Sequence, residues 1–407
     1  MKKPRSIGLV GFFAVALLLA ACSGQTGNAR IASPQPSGVE VLTIGLLLDN
    51  TGDQSFLNPA QQAAAKLAVQ QLNLAGGVNG QSVELLPSDP ADSIADQLRK
   101  LSAGKASVVI GPTDSAQASE AIAALSKSRT VLISPANAAT ALNKVSSGGY
   151  YFRTAPVETM QAKLLARLAA DSAKGQKIAV LYESADSSKE IAQQVISAVA
   201  DSGAQQTVSI EASDAAAAAA KVKAEKAGSV VVIARQRSQQ ILAELANAQV
   251  PGSTLLLDDG ATSSYGANLA LNALQGAQGI LPGVFPPAAF QEELLKIDPA
   301  LTSLNYAAES YDAVMLSALA AIRAKDSSGA SIASRLIEVS GGSGNGQKCQ
   351  QLSDCLSLLS QGKAIDYDGV SGPVNFDDQG NITVANYLVY RYGAGNLPVL
   401  NRSEQVK

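Results

Sequence analysis

From Val41 onward, short runs that are apolar throughout alternate with longer stretches in which apolar residues recur every three or four positions. VLTIGLLL (41–48) precedes NPAQQAAAKLAVQQLN (58–73), which stops at Gly76-Gly77; SVELLP (82–87) precedes ADSIADQLRKLSAG (91–104). SVVIG (107–111) precedes SAQASEAIAALSKS (115–128), and TVLIS (130–134) follows. The alternation resumes with KIAVLY (177–182), SVVVIA (229–234) and TLLLD (254–258), each followed by a segment with helical spacing. Strands that are apolar on both faces, separated by helices, predict parallel sheets covered on both sides. Two sets of such units predict an α/β chain of two doubly wound parallel-sheet lobes. The run DAAAAAAK (214–221) reads as a helix on alanine propensity alone.

The start of the chain follows another pattern. Lys2, Lys3 and Arg5 precede an apolar run from Ile7 to Ala21, shorter than the roughly 20 residues a membrane-spanning helix needs. A charged start, a short apolar stretch and small residues at its end predict a signal peptide over residues 1–21. Leu19-Ala20-Ala21-Cys22 resembles a bacterial lipobox, which implies an acylated Cys22 at the new N-terminus and a lipid anchor on the outer face of the cell membrane or in the periplasm. The alternative is an ordinary cleavage site that happens to lie near a cysteine. Residues 22–40 lack periodicity and are rich in Ser, Gly, Pro and Gln, so they predict a flexible linker.

Composition narrows the chemistry. The chain has 34 Asp+Glu against 31 Lys+Arg, and three of those basic groups fall in the leader, so the remainder is acidic and a poor nucleic-acid partner. It contains no histidine, which removes the Ser-His-Asp arrangement and the commonest zinc ligand. Neither GxSxG nor the phosphate-binding GxxxxGK[ST] occurs, and no cofactor or enzymatic role is expected. The absence of Trp and an aromatic content of 4% argue against a sugar site built on stacked rings. Cys349 and Cys355, two neighbouring thiols in an exported chain, read most simply as a disulfide.

Function in such sheets collects beyond the carboxyl ends of the strands. Those ends run into DNTGDQS, PTDSAQ and SPANAAT in the first half, and into ESADSS, RQRSQQ and DGATSS in the second. Each loop by itself reads as helix capping. The six together predict a cleft for a small polar ligand, with helix N-termini suited to a carboxylate.

Six stretches carry a family resemblance: AVQQLNLAGGVNG (68–80), VVIGPTDS (108–115), VLISPANAA (131–139), YFRTAP (151–156), KIAVLY (177–182) and DYDGVSGPVNFDDQGN (366–381). With them, the chain from about Val41 to Tyr392 resembles the type I periplasmic binding proteins of ABC importers, in particular the branched-chain amino acid group. The resemblance implies two lobes joined by a three-segment hinge. It places lobe 1 at 41–156 and 282–368, and lobe 2 at 157–281 with its completion, a crossing segment and a C-terminal tail in 369–407. It further implies a monomer that closes on an amino-acid-like ligand and delivers it to permease subunits; a tethered sensing or envelope-assembly protein of the same fold is the alternative.

By position, the groups that grip a ligand carboxylate fall on Asp114, Ser115, Ala136, Asn137 and Ala138, and the acid that receives an ammonium falls on Asp259. Asp259 is expected to sit solvated in an open cleft and to add little to folding. Ser187 stands where a tyrosine is usual, Ala138 where a threonine is usual, and Arg235-Gln236-Arg237 where an aromatic residue is usual. A more polar or acidic ligand suits Arg235 and Arg237, and a place on the solvated surface suits them equally. Phe56, in the first strand-end loop, is a candidate wall of the site, with packing against a lobe as the alternative.

Overall fold

The computed structural model describes residues 36–50, 55–201 and 206–407. Cys22, the signal peptide and most of the linker lie outside the described residues.

The first half builds β1 (Thr43–Leu46), α1 (Asn58–Leu74), β2 (Glu84–Leu85), α2 (Ile94–Ala103), β3 (Val108–Ile110), α3 (Ser115–Lys127), β4 (Val131–Ser134) and β5 (Tyr151–Arg153). The strands form a parallel sheet in the order β2-β1-β3-β4-β5. Every residue of β1, β3, β4 and β5 is buried, which is the reason these strands lack polar alternation. Helix starts are fixed by side chains that accept an otherwise free N–H: Ser93 from Asp96 and Asp114 from Ala116.

The same plan follows with α4 (Glu158–Ala173), β6 (Ile178–Tyr182), α5 (Asp186–Asp201), β7 (Thr207–Glu211), α6 (Ala215–Glu225), β8 (Ser229–Ile233), α7 (Ser238–Asn247), β9 (Leu255–Leu257) and β10 (Gln278–Pro282). Their order, β7-β6-β8-β9-β10, repeats that of the first sheet. The chain then returns to the first lobe through α8 (Ala288–Ile297), α9 (Ala307–Ala324) and α10 (Gly329–Val339). Helices α8 and α9 pack on α1, and α9 and α10 on β4. A small sheet follows, made of β11 (Gln347–Cys349), β12 (Ile365–Gly369) and β13 (Gly372–Pro373), with α11 (Leu352–Ser360) between its first two strands. Cys349 and Cys355 form the disulfide that ties β11 to α11, with Cα atoms 5.3 Å apart.

Finally β14 (Ala385–Tyr392) pairs antiparallel with β10, and β15 (Pro398–Val406) antiparallel with β14. The second sheet is therefore mixed, with an antiparallel hairpin on a parallel core. Residues 398–406, expected to trail as a tail, form its edge strand.

Three segments link the two lobes, after β5, β10 and β13, and side chains bundle them. Thr154 Oγ donates to the Glu309 carbonyl (3.0 Å), and the Gly283 N–H donates to Asn386 O (2.8 Å). Asp312, fully buried on α9, accepts from Tyr367 Oη and from the backbone N–H groups of Val370 and Ser371. At the other end, Asp326 accepts the N–H groups of Ser37 and Gly38 and ties the segment before β1 to the end of α9.

Candidate functional site

In a sheet ordered 2-1-3-4-5 the connections diverge between the first and third strands, and a crevice opens beyond their carboxyl ends. Both lobes fill that point with a buried carboxylate. Asp49, after β1, accepts the N–H groups of Thr113 (3.1 Å) and Asp114 (2.9 Å) after β3; burial pushes its carboxyl up to about 6. Glu183, after β6, accepts the N–H groups of Arg235 (3.0 Å) and Arg237 (3.1 Å) after β8. Gly111 permits the close approach in the first lobe. Its φ is +119°, and a Cβ there would lie 2.1 Å from the Leu47 carbonyl oxygen.

The loop after β4 is tied down almost completely. Ser134 Oγ accepts the N–H groups of Ala136 (3.3 Å) and Asn137 (2.9 Å). The Asn137 side chain donates to Thr113 O and accepts from Tyr151 Oη. Arg153, wholly buried at the end of β5, donates to the carbonyls of Asn137 (3.3 Å) and Ala139 (2.8 Å) and to the side chains of Asn143 and, from the third crossing, Asn381 (2.7 Å). Of the expected carboxylate-gripping groups, Ala136 and Asn137 have therefore spent their N–H groups inside lobe 1, as has Asp114 on Asp49. The N–H groups of Ser115 and Ala138 have no partner among the described residues.

The first turn of α4 joins this loop to the second lobe. Glu158 accepts from Thr140 N–H (3.2 Å) and, through its own N–H, donates to Ala138 O (2.9 Å); burial raises its carboxyl to about 7. One turn on, Gln161 Nε2 donates to Asp259 Oδ1 (2.7 Å). The other Asp259 oxygen accepts from Arg235 (3.2 Å), whose guanidinium is held above its ordinary value by that carboxylate. Asp259 is only 17% exposed. It is thus an engaged side chain, contrary to the expectation of a solvated one, because Arg235 and Gln161 both reach it.

Beside this pair lies a cavity of about 1030 Å³, lined among others by Phe56, Arg235, Asp259, Phe285, Tyr306 and Glu309. Of the residues singled out in the sequence, the structure brings Phe56, Arg235 and Asp259 together here. Asp114, Ser115, Ala136, Asn137 and Ala138 lie across the α4 turn and do not line the cavity, and Ser187 is exposed in the first turn of α5. Arg237 turns away to donate to the carbonyls of Ala212 and Ser213.

Sequence reasoning missed Phe285, Tyr306 and Glu309, which enter from the second crossing and from the start of α9. One signal was present: Glu309 and Asp312 are the only charged residues in a stretch of helix that is buried throughout from Ala307 to Ala321. Tyr306 precedes that helix at φ 61°, a left-handed conformation that costs a non-glycine residue about 1–3 kcal/mol.

Among the described residues no helix is long and apolar enough to cross a membrane, and no group of His, Cys, Asp or Glu is arranged to hold a metal ion. The leucine-, isoleucine-, valine-, threonine- and alanine-binding protein of Pseudomonas aeruginosa is 28% identical over 170 residues, which span 40% of this chain and 44% of that protein, less than half of its length. The chemotactic signal transduction substrate-binding protein BasB of Halobacterium salinarum is 26% identical over 356 residues, 82% of this chain and 83% of that protein. The crystal structure of the branched-chain amino acid transporter substrate-binding protein LivJ from Streptococcus pneumoniae, in complex with isoleucine, superposes with a TM-score of 0.63 at 22% identity, covering 90% of this chain and 99% of that one. A family model described as periplasmic binding protein matches residues 41–396, and with two α/β lobes built on one repeated strand order the chain belongs to that family.

Proposed function

We propose that the protein is the extracytoplasmic solute-binding component of an ABC importer, which captures an amino acid or a close relative between its lobes and delivers it to the permease. The observation that carries this reading is the cavity of about 1030 Å³, whose walls come from the first lobe (Phe56, Tyr306), the second (Arg235, Asp259) and the second crossing between them (Phe285). A solute held by all three favours the closed arrangement by its differential contacts, and that arrangement is what a permease reads. Within the cavity, Arg235 and Asp259 set a cation and a carboxylate side by side for the charged groups of such a solute. In this reading Cys22 carries the lipid that keeps the protein at the membrane, and Cys22→Ala releases it to the aqueous phase on detergent partitioning.

Mass spectrometry of solute retained through native purification tests the proposal, followed by calorimetric titration of that solute. One small amine or carboxylate per chain is expected. An empty protein whose melting temperature moves with no amino acid or aromatic acid would sink it. The match along most of BasB favours a second reading, a tethered chemosensory receptor. Uptake of the bound solute that disappears on deleting the protein supports transport; loss of taxis with intact uptake supports sensing.

A further inference from the structure

The carboxylate expected to receive a ligand's ammonium, Asp259, has both oxygens engaged, one by Gln161 and one by Arg235. Glu309 is placed differently. Its side chain is 5% exposed and lines the cavity, and no side chain or backbone group of another residue donates to its carboxyl among the described residues. No lysine or arginine forms an ion pair with it. The nearest residue of the second crossing is Gly283, also a cavity residue, where a Cβ would sit 2.7 Å from Glu309 Oε1. The glycine therefore leaves the approach to the carboxyl uncovered. The residue's own N–H is the single donor to the carboxyl, and no cation balances it among the described residues; a buried carboxyl so thinly partnered in a ligand cavity points to a partner the ligand supplies.

The rest of the cavity describes that ligand's body. Phe56 and Phe285 are each 62% exposed, although both line the cavity, and Tyr306 and Tyr390 add two more rings. Such a lining suits an apolar or aromatic body and an adjacent cation. The space of about 1030 Å³ lies just above the ~300–1,000 Å³ usual for drug-sized ligands and leaves room for an extended body. Arg235 and Asp259 enter as a neutral pair, which leaves Glu309 as the group able to balance a positive charge.

We infer that the solute is an amine with an extended apolar or aromatic body, and that Glu309 receives its ammonium. This rests on the solute-binding reading and names the ligand class for it. The groups facing Glu309 agree on the protonation that must accompany binding. Asp312, one turn along α9, and burial hold its carboxyl up at about 8. Tyr306, whose own hydroxyl is raised by burial and by Asp259, adds no positive charge. The facing residues of the crossings, Thr154, Ser371 and Asn386, do not titrate in this range. A carboxyl with a pKa of about 8 is roughly nine-tenths protonated at pH 7. Docking of an ammonium ionises it, with the proton leaving to buffer.

The test is calorimetric titration of the full chain at pH 7 in two buffers of different ionisation enthalpy. The probes are 2-phenylethylamine, L-phenylalanine, L-leucine and benzoate. The aromatic amines should bind with release of about 0.9 proton, and Glu309→Gln, which keeps the side chain's shape, should abolish the release and weaken them at least thirtyfold. Amine binding without proton release in the wild type overturns the assignment, a readout that does not depend on the variant folding. Equal binding of leucine or benzoate by wild type and Glu309→Gln, with no response to the aromatic amines, refutes the ligand class while leaving solute binding intact. No binding of any probe, with no solute retained through purification, overturns both.

Discussion

Arg153 offers the sharpest test of how the crossings hold the site. Its guanidinium is wholly buried, and burial lowers its basicity from the ordinary value, yet it forms no salt bridge among the described residues: it donates to two carbonyls, two asparagine side chains and the Tyr151 hydroxyl. Arg153→Met keeps the stem and removes the charge. Each hydrogen bond to a charged group contributes roughly 1.5–3 kcal/mol, and each acceptor left buried without a donor costs roughly 1–3 kcal/mol. Against this, methionine is relieved of the guanidinium's desolvation, an opposing effect of several kcal/mol. The several bonds to the charged group outweigh the single desolvated charge, and a net loss of about 3–5 kcal/mol is expected. At about 2–4 °C per kcal/mol for domains of 150–250 residues, the melting temperature should fall by roughly 6–20 °C. Ligand affinity should fall as well, because Arg153 ties the loop after β4 to the third crossing and so bears on how the lobes close. Differential scanning calorimetry of the apo proteins, beside titration of the retained solute, measures both. A melting temperature within about 2 °C of wild type would show that desolvation cancels the network, and the account of Arg153 as the tie between loop and crossings would be wrong.

Reduction of Cys349–Cys355 opens only a short loop, for which chain entropy gives roughly 2–2.5 kcal/mol; a modest drop in melting temperature is expected, with affinity within a few fold of wild type, and a hundredfold loss would show that the β11–α11 staple shapes the cavity. Asp49, Glu158 and Glu309 have carboxyls raised to about 6, 7 and 8, so the native state binds more protons than the unfolded chain between pH 4.5 and 8. Stability is then greatest below their ordinary values and declines as pH rises through that window; urea midpoints that are flat from pH 5 to 8.5 would contradict it. Asp259→Asn breaks the pair with a half-exposed Arg235, so the apo protein should lose less than about 1 kcal/mol. An aromatic amine should lose less affinity in that variant than in Glu309→Gln, and the reverse order, read by titration, would return the ammonium to Asp259.

The parallel strands were legible because they are buried on both faces, and a run such as VVV in β8 has no other use for its composition. β15 was not. Pro398–Val406 is an edge strand whose side chains are mostly exposed, so its sequence PVLNRSEQV mixes apolar and polar residues without the alternation of a half-buried strand. The triplet Tyr151-Phe152-Arg153 was recognised only as a motif, since an arginine is a poor sign of a buried strand until its acceptors are known. Strand-end loops could be nominated as the site because the direction of a parallel strand decides which end a loop occupies. That logic reaches Phe56, Arg235 and Asp259, and it stops at Glu309, Tyr306 and Phe285, which belong to a helix start and a crossing. Nor could it foresee that Ser134 consumes the N–H groups of Ala136 and Asn137, because that depends on how one loop curls.

The threefold passage between lobes also bears on how the polypeptide reaches its folded state after export. A chain threaded through a membrane with its N-terminus leading presents β1 to β5 early, but α9 and α10, which cover that sheet, follow only after the parallel strands of the other lobe have emerged. The second sheet in turn waits for β14 and β15, the last elements of the chain. The first lobe therefore completes its core only after α10 is made, and the second sheet only after β14 and β15. Pairings this distant along the sequence slow folding and prolong the exposure of apolar strands. A truncation that removes β15 should therefore yield an aggregation-prone product even though every cavity residue is present.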